Sequence, residues 1–581
     1  MKRHLLFLCA IANLNSSVVA QIYVEKVFSV DQAIPDYGQY VDVRSVSGLG
    51  MTSISAVSVG LNLHGTAGST MRLGDYFVSL THGTGSEEER VAVLMNRPGA
   101  TDTRPWGSSI SSANFRFDDT VGASNVFGVA SITGTYAADG RLSVNPYSSP
   151  PAYNAQDSTH GLASLNGDLL ASDTWSLLVA DTRQGAAGTL SSWKLAITGL
   201  APQTGTLDPG AGGTVGDVAG SASQEILAQL QVSGSAADAV TANISGNLVL
   251  SGGLSGAGNL VKTGAGELTI GGNSSGFTGI VDLTQGALTI ASSQALGSGA
   301  AIQVSSSGST LNLANASQLD VPITLSGLGT VLVLDGAGTL GGAVTGEGGL
   351  RKEGPGPTTL TGEINLGGGV AVEAGVMSIN GSISGAGELT VASGATLMGS
   401  GTVNVTTTIS GIHSAGNSPG IQTFSSGLAY SSGASIVWEL SDNTLSGRGT
   451  DFDAIDVTGH LTFGGVTTLE LSFGVPGSEV DWRDSFWNND IIGTNGWQIF
   501  DVDGTVGGLG SLVLADASAW VDLFGSSLNS VRSEAGFSIY EEGGGIYLNY
   551  QASPIPEVSP VIGLSCLFMA ASLLRFRSPR Q

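Results

Sequence analysis

Residues 254–261 read LSGAGNLV, and the pattern returns at residues 383–390 as ISGAGELT. A second string, GNLVKTGAG at residues 258–266, returns as GGLRKEGPG at residues 348–356. In both strings apolar residues alternate with small polar ones, and glycines separate the short runs. Short strands with one buried face, joined by glycine turns, stack into a parallel β-solenoid whose turns bury their inward side chains against each other. The repeats therefore predict a solenoid over residues 243–425.

One copy of the repeat is complete enough to compare with a known family. It runs from GELTI at residues 266–270 through FTG at residues 277–279 to GAL at residues 286–288. This string resembles the autotransporter-associated β-strand repeat, and the resemblance covers roughly residues 243–405. It implies an extracellular passenger or stalk.

The composition of the whole chain agrees with an all-β protein. Among 581 residues there are 88 glycines, 41% are hydrophobic, and only 12% are charged. The apolar content is too high for a disordered chain, and amphipathic helical periodicity is lacking before the last 25 residues. A formal net charge of −26 without a basic stripe argues against a nucleic acid partner. The cysteines, Cys9 and Cys566, lie in the terminal apolar segments, which excludes disulfides and thiolate metal sites between them.

Residues 21–200 carry a different pattern, with longer strands between turns rich in glycine and aspartate. The expected strands include residues 55–63, 76–80, 91–94, 175–179 and 193–197. Regularly spaced strands of this kind predict a jelly-roll sandwich.

Several motifs of this region resemble the P domain (Homo B) of proprotein convertases and subtilisin-like proteases. They are IPDYG at residues 34–38, LGDYFVSL at 73–80, FDD at 117–119, WSLLVAD at 175–181 and GTLSSWKL at 188–195. The resemblance implies a β jelly roll that packs beside a catalytic domain and supplies no catalytic residue itself.

The chain lacks the pattern of a protease. His64 and His82 each precede Gly-Thr, but neither is expected before a helix, and residues 68–72, GSTMR, do not form a nucleophile block. A polysaccharide lyase would need clustered carboxylates and a basic residue that abstracts a proton. The acidic residues of the solenoid are isolated, and its basic residues are expected on the outer face. The acidic residues are Asp282, Asp320 and Asp335, and the basic residues are Lys262, Arg351 and Lys352. We therefore expect a protein that is not an enzyme.

The first 20 residues have the layout of a secretory signal. Lys2 and Arg3 precede an apolar run at residues 5–12, and small residues lead to Ala20. Cleavage is expected between Ala20 and Gln21 by the export machinery. The apolar run is too short for a membrane span.

Residues 551–581 have the layout of a sorting tail. Pro556-Glu557-Val558 precedes an apolar run at residues 561–574, and basic residues follow it, including Arg575 and Arg577. The layout resembles the PEP-CTERM signal, although Val558 stands where that motif has its second proline. The resemblance implies a C-terminal hydrophobic helix that holds the chain in the membrane until an exosortase-like enzyme removes it. A plain tail anchor is the alternative.

The remaining segments are expected to connect and cap the two folds. Residues 201–242 predict a linker or cap, with one short turn or helix at residues 225–231, and residues 426–550 predict a C-terminal β domain that covers the open solenoid end.

Calcium is the one cofactor that the sequence suggests, because paired carboxylates beside turns are suited to it. The alternative is that these carboxylates only hydrogen-bond the backbone of their turns. The candidate ligands are Asp75, Asp118, Asp119, Asp451 and Asp453.

Together these features predict an exported structural or adhesive protein of the cell envelope, outer surface or extracellular matrix, with an N-terminal module that binds a glycan or a protein. Two alternatives stay open. One is an accessory protein of a separately encoded serine protease, and the other is a solenoid enzyme acting on polysaccharides.

Overall fold

The computed structural model describes residues 21–552 except 47–50, 67–68, 102–103, 120–121, 129–132, 143–156, 169–173, 203, 218–222 and 475–476. The protein is all-β, with 51% of residues in strands and 7% in helices, and it contains a parallel β-solenoid of about 14 turns. The fold class expected from the sequence is confirmed. The chain divides into two compact units, Met1–Ala371 with Ser384–Gly387, and Val372–Ile383 with Glu388–Gln581.

The first unit opens with a sandwich of two antiparallel sheets. Its strands are β1 (Gln21–Ala33), β2 (Gln39–Ser45), β3 (Ser53–Gly65), β4 (Met71–Arg72), β5 (Tyr76–His82), β6 (Arg90–Asn96), β7 (Ser109–Ile110), β8 (Ser112–Asp118), β9 (Thr133–Tyr136), β10 (Gly167–Asp168), β11 (Thr174–Asp181) and β12 (Gly188–Leu200). One sheet has the order β2–β11–β5–β6, and the other is built around β1, β12, β3 and β8. Each of the five strands named from the sequence lies within one of these elements.

The core of the sandwich lies between the two sheets, because alternate side chains of each strand face inward. Trp175 of one sheet and Trp193, Phe115 and Phe117 of the other are almost fully buried. The indole Nε1 of Trp193 donates a hydrogen bond of 2.6 Å to the carboxylate of Asp42, so that its polar atom is satisfied.

The solenoid follows the sandwich. Its strands are β13 (Thr206–Leu207), β14 (Thr214–Asp217), β15 (Gln224–Ile226), β16 (Gln229–Gln231), β17 (Val240–Asn243), β18 (Asn247–Leu250), β19 (Leu254–Ser255), β20 (Leu260–Thr263), β21 (Glu267–Ile270), β22 (Ile280–Leu283), β23 (Ala287–Ile290), β24 (Ala301–Val304), β25 (Ser309–Leu319), β26 (Ile323–Leu325), β27 (Val331–Leu340), β28 (Val344–Gly346), β29 (Gly349–Lys352), β30 (Thr358–Leu360), β31 (Glu363–Leu366), β32 (Val370–Val372), β33 (Val376–Ile379), β34 (Ser382–Ser384), β35 (Leu389–Val391), β36 (Thr396–Gly399), β37 (Thr402–Val403), β38 (Thr407–Ile409), β39 (Ile412–Ala415), β40 (Ile421–Phe424), β41 (Leu428–Tyr430), β42 (Ser435–Glu439), β43 (Ala454–Val457), β44 (Leu461–Phe463), β45 (Thr467–Ser472), β46 (Trp497–Val502), β47 (Val506–Gly507) and β48 (Leu512–Leu514).

Identical side chains stack from turn to turn inside the first unit. Leu248 pairs with Leu268, Leu268 with Leu288, and Leu288 with Leu311, all in parallel register. Each of these leucines is at most 1% exposed. This ladder explains the alternation in the sequence, because only the inward side chain of each strand must be apolar.

Residues 201–242 differ from the sequence expectation. The short turn or helix expected at residues 225–231 is instead the strands β15 and β16, which pair in parallel with β18 and β19. Glycine- and alanine-rich composition suggested a linker, but Ile226 and Leu230 keep the inward alternation and are buried. The segment therefore forms solenoid turns, and parallel pairing begins before residue 243.

Strand β1 belongs to the sandwich and to the edge of the solenoid at once. Along Ile22–Glu25 it pairs antiparallel with β12 on one side and with β14 on the other. Strand β14 in turn pairs in parallel with β17. One sheet thus runs from the sandwich into the first turns, and β1 covers a strand edge that would otherwise be open.

The second unit contains further solenoid turns and ends in an antiparallel hairpin. The hairpin strands are β49 (Gly536–Glu542) and β50 (Gly545–Gln551), and β50 pairs antiparallel with β46. Residues 426–550 therefore contain parallel solenoid strands as far as β48, followed by this hairpin. Trp482, Trp487, Trp497, Phe537 and Tyr550 pack together beneath the hairpin.

Short helices occupy several turns. They are one α-helical turn, α1 (Leu528–Val531), and the 3₁₀ turns Leu73–Asp75, Val126–Gly128, Leu162–Leu165, Ala236–Asp238, Ser485–Asn488, Gly493–Asn495, Leu509–Ser511 and Ala517–Ala519. Among the described residues no helix has the length and apolar character needed to cross a membrane. The expected sorting-tail helix lies outside the described residues.

Candidate functional site

Four turns, far apart in sequence, meet at one end of the sandwich. The turn after β1 is tied to β11 because Asp181 N donates to Gly38 O at 2.8 Å. The 3₁₀ turn that precedes β5 is tied to a third loop, since Leu73 N donates to Ser108 O at 2.9 Å and Gly74 N donates to Trp106 O at 3.0 Å. The fourth turn follows β11.

A close approach of two glycines fixes the position of Trp106. A Cβ atom on Gly74 would lie 2.6 Å from the backbone of Trp106 and Gly107, and Gly107 has a φ of +65°. Only glycine fits both positions without displacing the backbone. The loop is therefore held against the 3₁₀ turn, and the indole of Trp106 projects with 43% of its surface exposed.

These turns border a pocket of about 340 Å³ that is open to solvent. Its lining combines two aromatic rings, two guanidinium groups, a hydroxyl and an amide, from Tyr37, Trp106, Arg72, Arg183, Thr182 and Gln184. Tyr37 is 58% exposed, although it lies in a well-defined turn with a φ of +53°. A concave site with aromatic walls and a few convergent polar groups is typical of ligand binding.

The two lining arginines differ from Arg97 of the same sandwich. Arg97, just behind the pocket, donates from Nε to Gly74 O at 3.2 Å and from Nη2 to Pro105 O at 3.1 Å. Arg72 and Arg183 are only partly exposed, yet within the described part of the chain neither guanidinium makes a hydrogen bond or an ion pair. The Arg72 guanidinium lies 5.8 Å from the Trp106 ring centre.

Two buried carboxylates lie behind these arginines. Asp75 and Asp181 are 0% exposed, and burial raises the pKa of Asp75 to about 6 and that of Asp181 to about 7. The charge of Arg72 opposes the shift in both groups. Thr182 joins the two turns, because its N and Oγ1 both donate to Asp75 O at 2.7 Å. Two buried carboxylates whose charge depends on pH therefore interact electrostatically with Arg72 of the pocket.

The structure gives the candidate calcium ligands separate places and separate partners. Asp119 accepts from Ala138 N at 2.9 Å and from Leu162 N at 2.7 Å, and Asp118 pairs with Arg116 at 3.0 Å. Asp453 accepts from Gly420 N at 2.8 Å and from Glu439 N at 3.1 Å, and burial raises its pKa to about 8.

The last two candidates do not join them in a cluster. Asp451 uses its backbone oxygen to accept from Ser441 N at 2.8 Å, and Asp75 lies behind the pocket. Across the described residues, no three Asp, Glu, His or Cys side chains come together in a way that could hold a metal ion.

The two histidines weighed for a protease lie on opposite sheets. His64 is in β3 and contacts the carbonyl of Gly65 at 3.0 Å, whereas His82 is in β5 and stacks on Trp175 with ring centres 4.1 Å apart. Burial lowers the pKa of His82 to about 4. Neither ring is hydrogen-bonded to a serine or a carboxylate among the residues described.

The expectation that the solenoid lysines lie on the outer face was wrong for Lys262 and Lys352. Both are 0% exposed. The Lys262 ammonium donates to the carbonyls of Thr263, Gly264 and Gln285 at 2.9, 2.8 and 3.0 Å, and Lys352 donates to Glu353 O and Gly354 O. Each lysine therefore satisfies backbone oxygens at a solenoid corner.

A signal for the buried lysines was present in the sequence. Lys262 lies two residues after Leu260 on the same strand, so its side chain points to the same inward face as that leucine. Each of the two lysines is also followed by a glycine two residues later. Gly264 has a φ of +77° and a Cβ there would lie 2.2 Å from Ile244 O. The repeated Lys-x-Gly pattern thus marks a corner, not a charged surface.

The processing residues are only partly within the described structure. Gln21 is the first residue of β1. Ala20, Pro556, Glu557, Arg575 and Arg577 lie outside the described residues.

No protein-family model matches the chain, and no curated protein shows a significant sequence match to it. The class defined by the structure is thus an all-β protein that joins an antiparallel sandwich to a parallel β-solenoid.

Proposed function

We propose that this protein is a non-catalytic structural or adhesive protein in which the sandwich binds a ligand and the solenoid carries it. The observation that supports this most directly is the double pairing of β1 with β12 and β14. A backbone sheet that continues from a binding module into a repeat array leaves no free hinge along that strand. A force applied to the first solenoid turns would thus be transmitted to the sandwich, which contains the pocket.

The solenoid suits the carrying role because its stability comes from neighbouring turns. The leucine ladder from Leu248 to Leu311 repeats one contact several times, and the Lys262 ammonium binds three backbone carbonyls at one corner. Such an array needs no cofactor to hold its length.

The proposed place of action is the cell envelope, the outer surface or the extracellular matrix. Export through a cleaved signal at Ala20–Gln21 and sorting by an exosortase-like enzyme at the tail are part of this proposal, and they rest on the sequence of the two ends. Mass spectrometry of both termini of the protein recovered from cells tests this part. A start at Met1 together with an intact Gln581 would contradict processing at both ends.

The adhesive role is tested by comparing cells with an intact gene and cells with an in-frame deletion. We expect the protein to be digested by protease added to intact cells, and deletion to reduce attachment to a glycan-coated or matrix-coated surface. Re-expression of the full chain should restore attachment. Unchanged attachment, or protection of the protein until cells are lysed, would overturn the proposal.

The non-catalytic part of the proposal has its own test. The purified chain should hydrolyse neither casein nor acidic polysaccharides. Turnover of casein that a serine-protease inhibitor abolishes would favour a protease, and release of unsaturated sugars would favour a lyase.

A further inference from the structure

The pocket of the sandwich contains two guanidinium groups that donate no hydrogen bond within the part of the chain that the structure describes. Arg72 ends strand β4, Arg183 lies in the turn after β11, and the two line the same 340 Å³ space. A partly buried guanidinium has lost some of its water, and within the described residues no carboxylate or carbonyl replaces that water. The planar fork of arginine is suited to a carboxylate, which it binds through two parallel hydrogen bonds.

The walls of the pocket add an apolar surface to this charge. The exposed rings of Trp106 and Tyr37 lie beside the arginines. Aromatic rings provide large, rigid contact area at a low cost in side-chain entropy, and the C–H face of a sugar ring packs against them. The amide of Gln184 is exposed at the same site and can bond to hydroxyl groups.

We propose that this pocket binds a carboxylate-bearing sugar residue of an acidic polysaccharide. Arg72 and Arg183 pair with the sugar carboxylate, and the rings of Trp106 and Tyr37 cover the sugar ring. This inference rests on the proposed binding role of the sandwich and names the chemical class of its ligand.

The charges around the pocket favour a single negative charge over a phosphate group. Asp36, Asp75 and Asp181 are close enough to interact electrostatically with each other, and the charge of Arg72 favours the ionised form of the two buried ones. They offset part of the positive charge of Arg72 and Arg183, so a ligand group carrying close to two negative charges would be repelled more strongly than a carboxylate.

The shape of the pocket favours a sugar over an extended peptide. Peptides are commonly held by backbone hydrogen bonds along a free strand edge. Here the lining comes from turns and from the end of the two-residue strand β4, which is already paired with β7, and the exposed groups are side chains. Nonspecific attraction of polyanions is also disfavoured, since the chain as a whole has a net charge of −26.

The test measures binding of tetragalacturonate to the purified full chain by calorimetry at about 0.15 M salt, where long-range charge effects are screened. We expect saturable binding, and at least about tenfold weaker binding of the methyl-esterified tetrasaccharide, because the ester cannot accept two charge-assisted hydrogen bonds. Hexaglutamate should not bind. This comparison uses the unaltered protein and so does not depend on the folding of any variant.

Single substitutions test which side chains of the pocket bind tetragalacturonate. Arg72→Gln, Arg183→Gln and Trp106→Ala should each weaken tetragalacturonate binding by about tenfold or more. Arg116→Gln is the matched control, since Arg116 lies on β8 with its side chain 62% exposed and does not line the pocket. The control should retain the affinity of the original protein. Unchanged melting temperatures would show that the pocket variants are folded.

Four results would overturn the inference. They are the absence of tetragalacturonate binding, equal affinity for the free acid and its ester, binding of hexaglutamate in preference to the sugar, and full affinity in folded Arg72→Gln and Arg183→Gln. Each can occur while cells still attach through the protein, so failure here is distinguishable from failure of the adhesive role.

Discussion

The sandwich and the solenoid stabilise their buried charged groups with different partners, an opposite charge in the sandwich and backbone carbonyls in the solenoid. In the sandwich the buried Arg141 pairs with the buried Asp139, and it also donates to Asn96 O and lies over the Phe127 ring, in an arrangement that is not a repeat. In the solenoid the buried Lys262 and Lys352 bind backbone carbonyls at corners that recur along the chain. A single change should therefore disturb the whole sandwich but only the neighbouring turns of the solenoid.

The largest effect is expected from breaking the buried ion pair of the sandwich. Arg141 donates from Nε and Nη2 to the two oxygens of Asp139 at 2.6 and 2.8 Å, and both side chains are at most 1% exposed. Asp139→Asn should lower the free energy of unfolding of the sandwich by about 3–5 kcal/mol, because it leaves a buried charge without its counterion. Urea unfolding followed by hydrogen exchange in residues 21–200 measures this.

The pair Arg116–Asp118, in which Asp118 is buried but Arg116 is exposed, provides the control for that experiment. The two groups lie 3.0 Å apart, but the Arg116 side chain is 62% exposed. Arg116→Gln should change stability by only about 0–1 kcal/mol. Equal effects of the two substitutions would show that the sandwich does not depend on its buried pair.

The second prediction concerns the leucine ladder. Leu268 is 0% exposed and lies between Leu248 and Leu288 in the stack. Leu268→Ala should cost about 2–5 kcal/mol, as for other buried leucines, but the loss of hydrogen-exchange protection should be confined to the adjacent turns. Thr269→Ala on the same strand, whose side chain faces outward, should have little effect. Loss of protection in the sandwich as well would contradict the comparison.

The ladder was also the part of the fold that the sequence predicted well. Alternation and glycine spacing depend on neighbouring residues, so the strands around Leu268 could be derived locally. The pocket could not, because Tyr37, Arg72, Trp106 and Arg183 come from turns separated by long stretches of chain. The turn or helix predicted at residues 225–231 was wrong because composition was given more weight than the spacing of Ile226 and Leu230, which both point inward and are buried.

Some turns of the second unit depart from the apolar ladder, and this gives a third prediction. His413 is 0% exposed, Tyr430 Oη lies 2.6 Å from its Nδ1, and Gln422 Oε1 lies 2.7 Å from its Nε2. Burial lowers the pKa of His413 to about 4 from an ordinary value of 6.5. The unfolded chain therefore binds a proton between these values while the folded chain does not, and stability should fall as pH drops from 6.5 to 4.

Replacement of His413 isolates its share of that pH dependence. His413→Gln should destabilise the protein at pH 7, because Tyr430 and Gln422 lose their present partner, but the difference from the original protein should shrink by up to about 3 kcal/mol on going to pH 4. Urea unfolding at several pH values, followed in residues 388–552, checks this. A difference that stays constant across the range would show that His413 is not held neutral by burial.

The smallest effect is expected at the lysine corner. Lys262→Met keeps the aliphatic length but leaves the carbonyls of Thr263, Gly264 and Gln285 without the ammonium, so at pH 7 it should cost about 1–3 kcal/mol. Loss of the buried charge offsets part of this cost. Burial lowers the pKa of Lys262 from 10.5 to about 8, and between these values the unfolded chain binds the extra proton. Stability contributed by this site should therefore rise as pH increases from 8 to 10.5.

The sign of that slope distinguishes a buried corner lysine from a solvated one. A lysine on the outer face would have the same pKa folded and unfolded, and its replacement would give a difference in stability that does not vary with pH. Two results would support the comparison between the sandwich and the solenoid. Lys262→Met should remove the rise in stability above pH 8, which would show that this charge is buried as the charges of the sandwich are. The loss of stability should also be confined to the turns whose carbonyls Lys262 binds, which would show that the repeat limits the effect of one substitution.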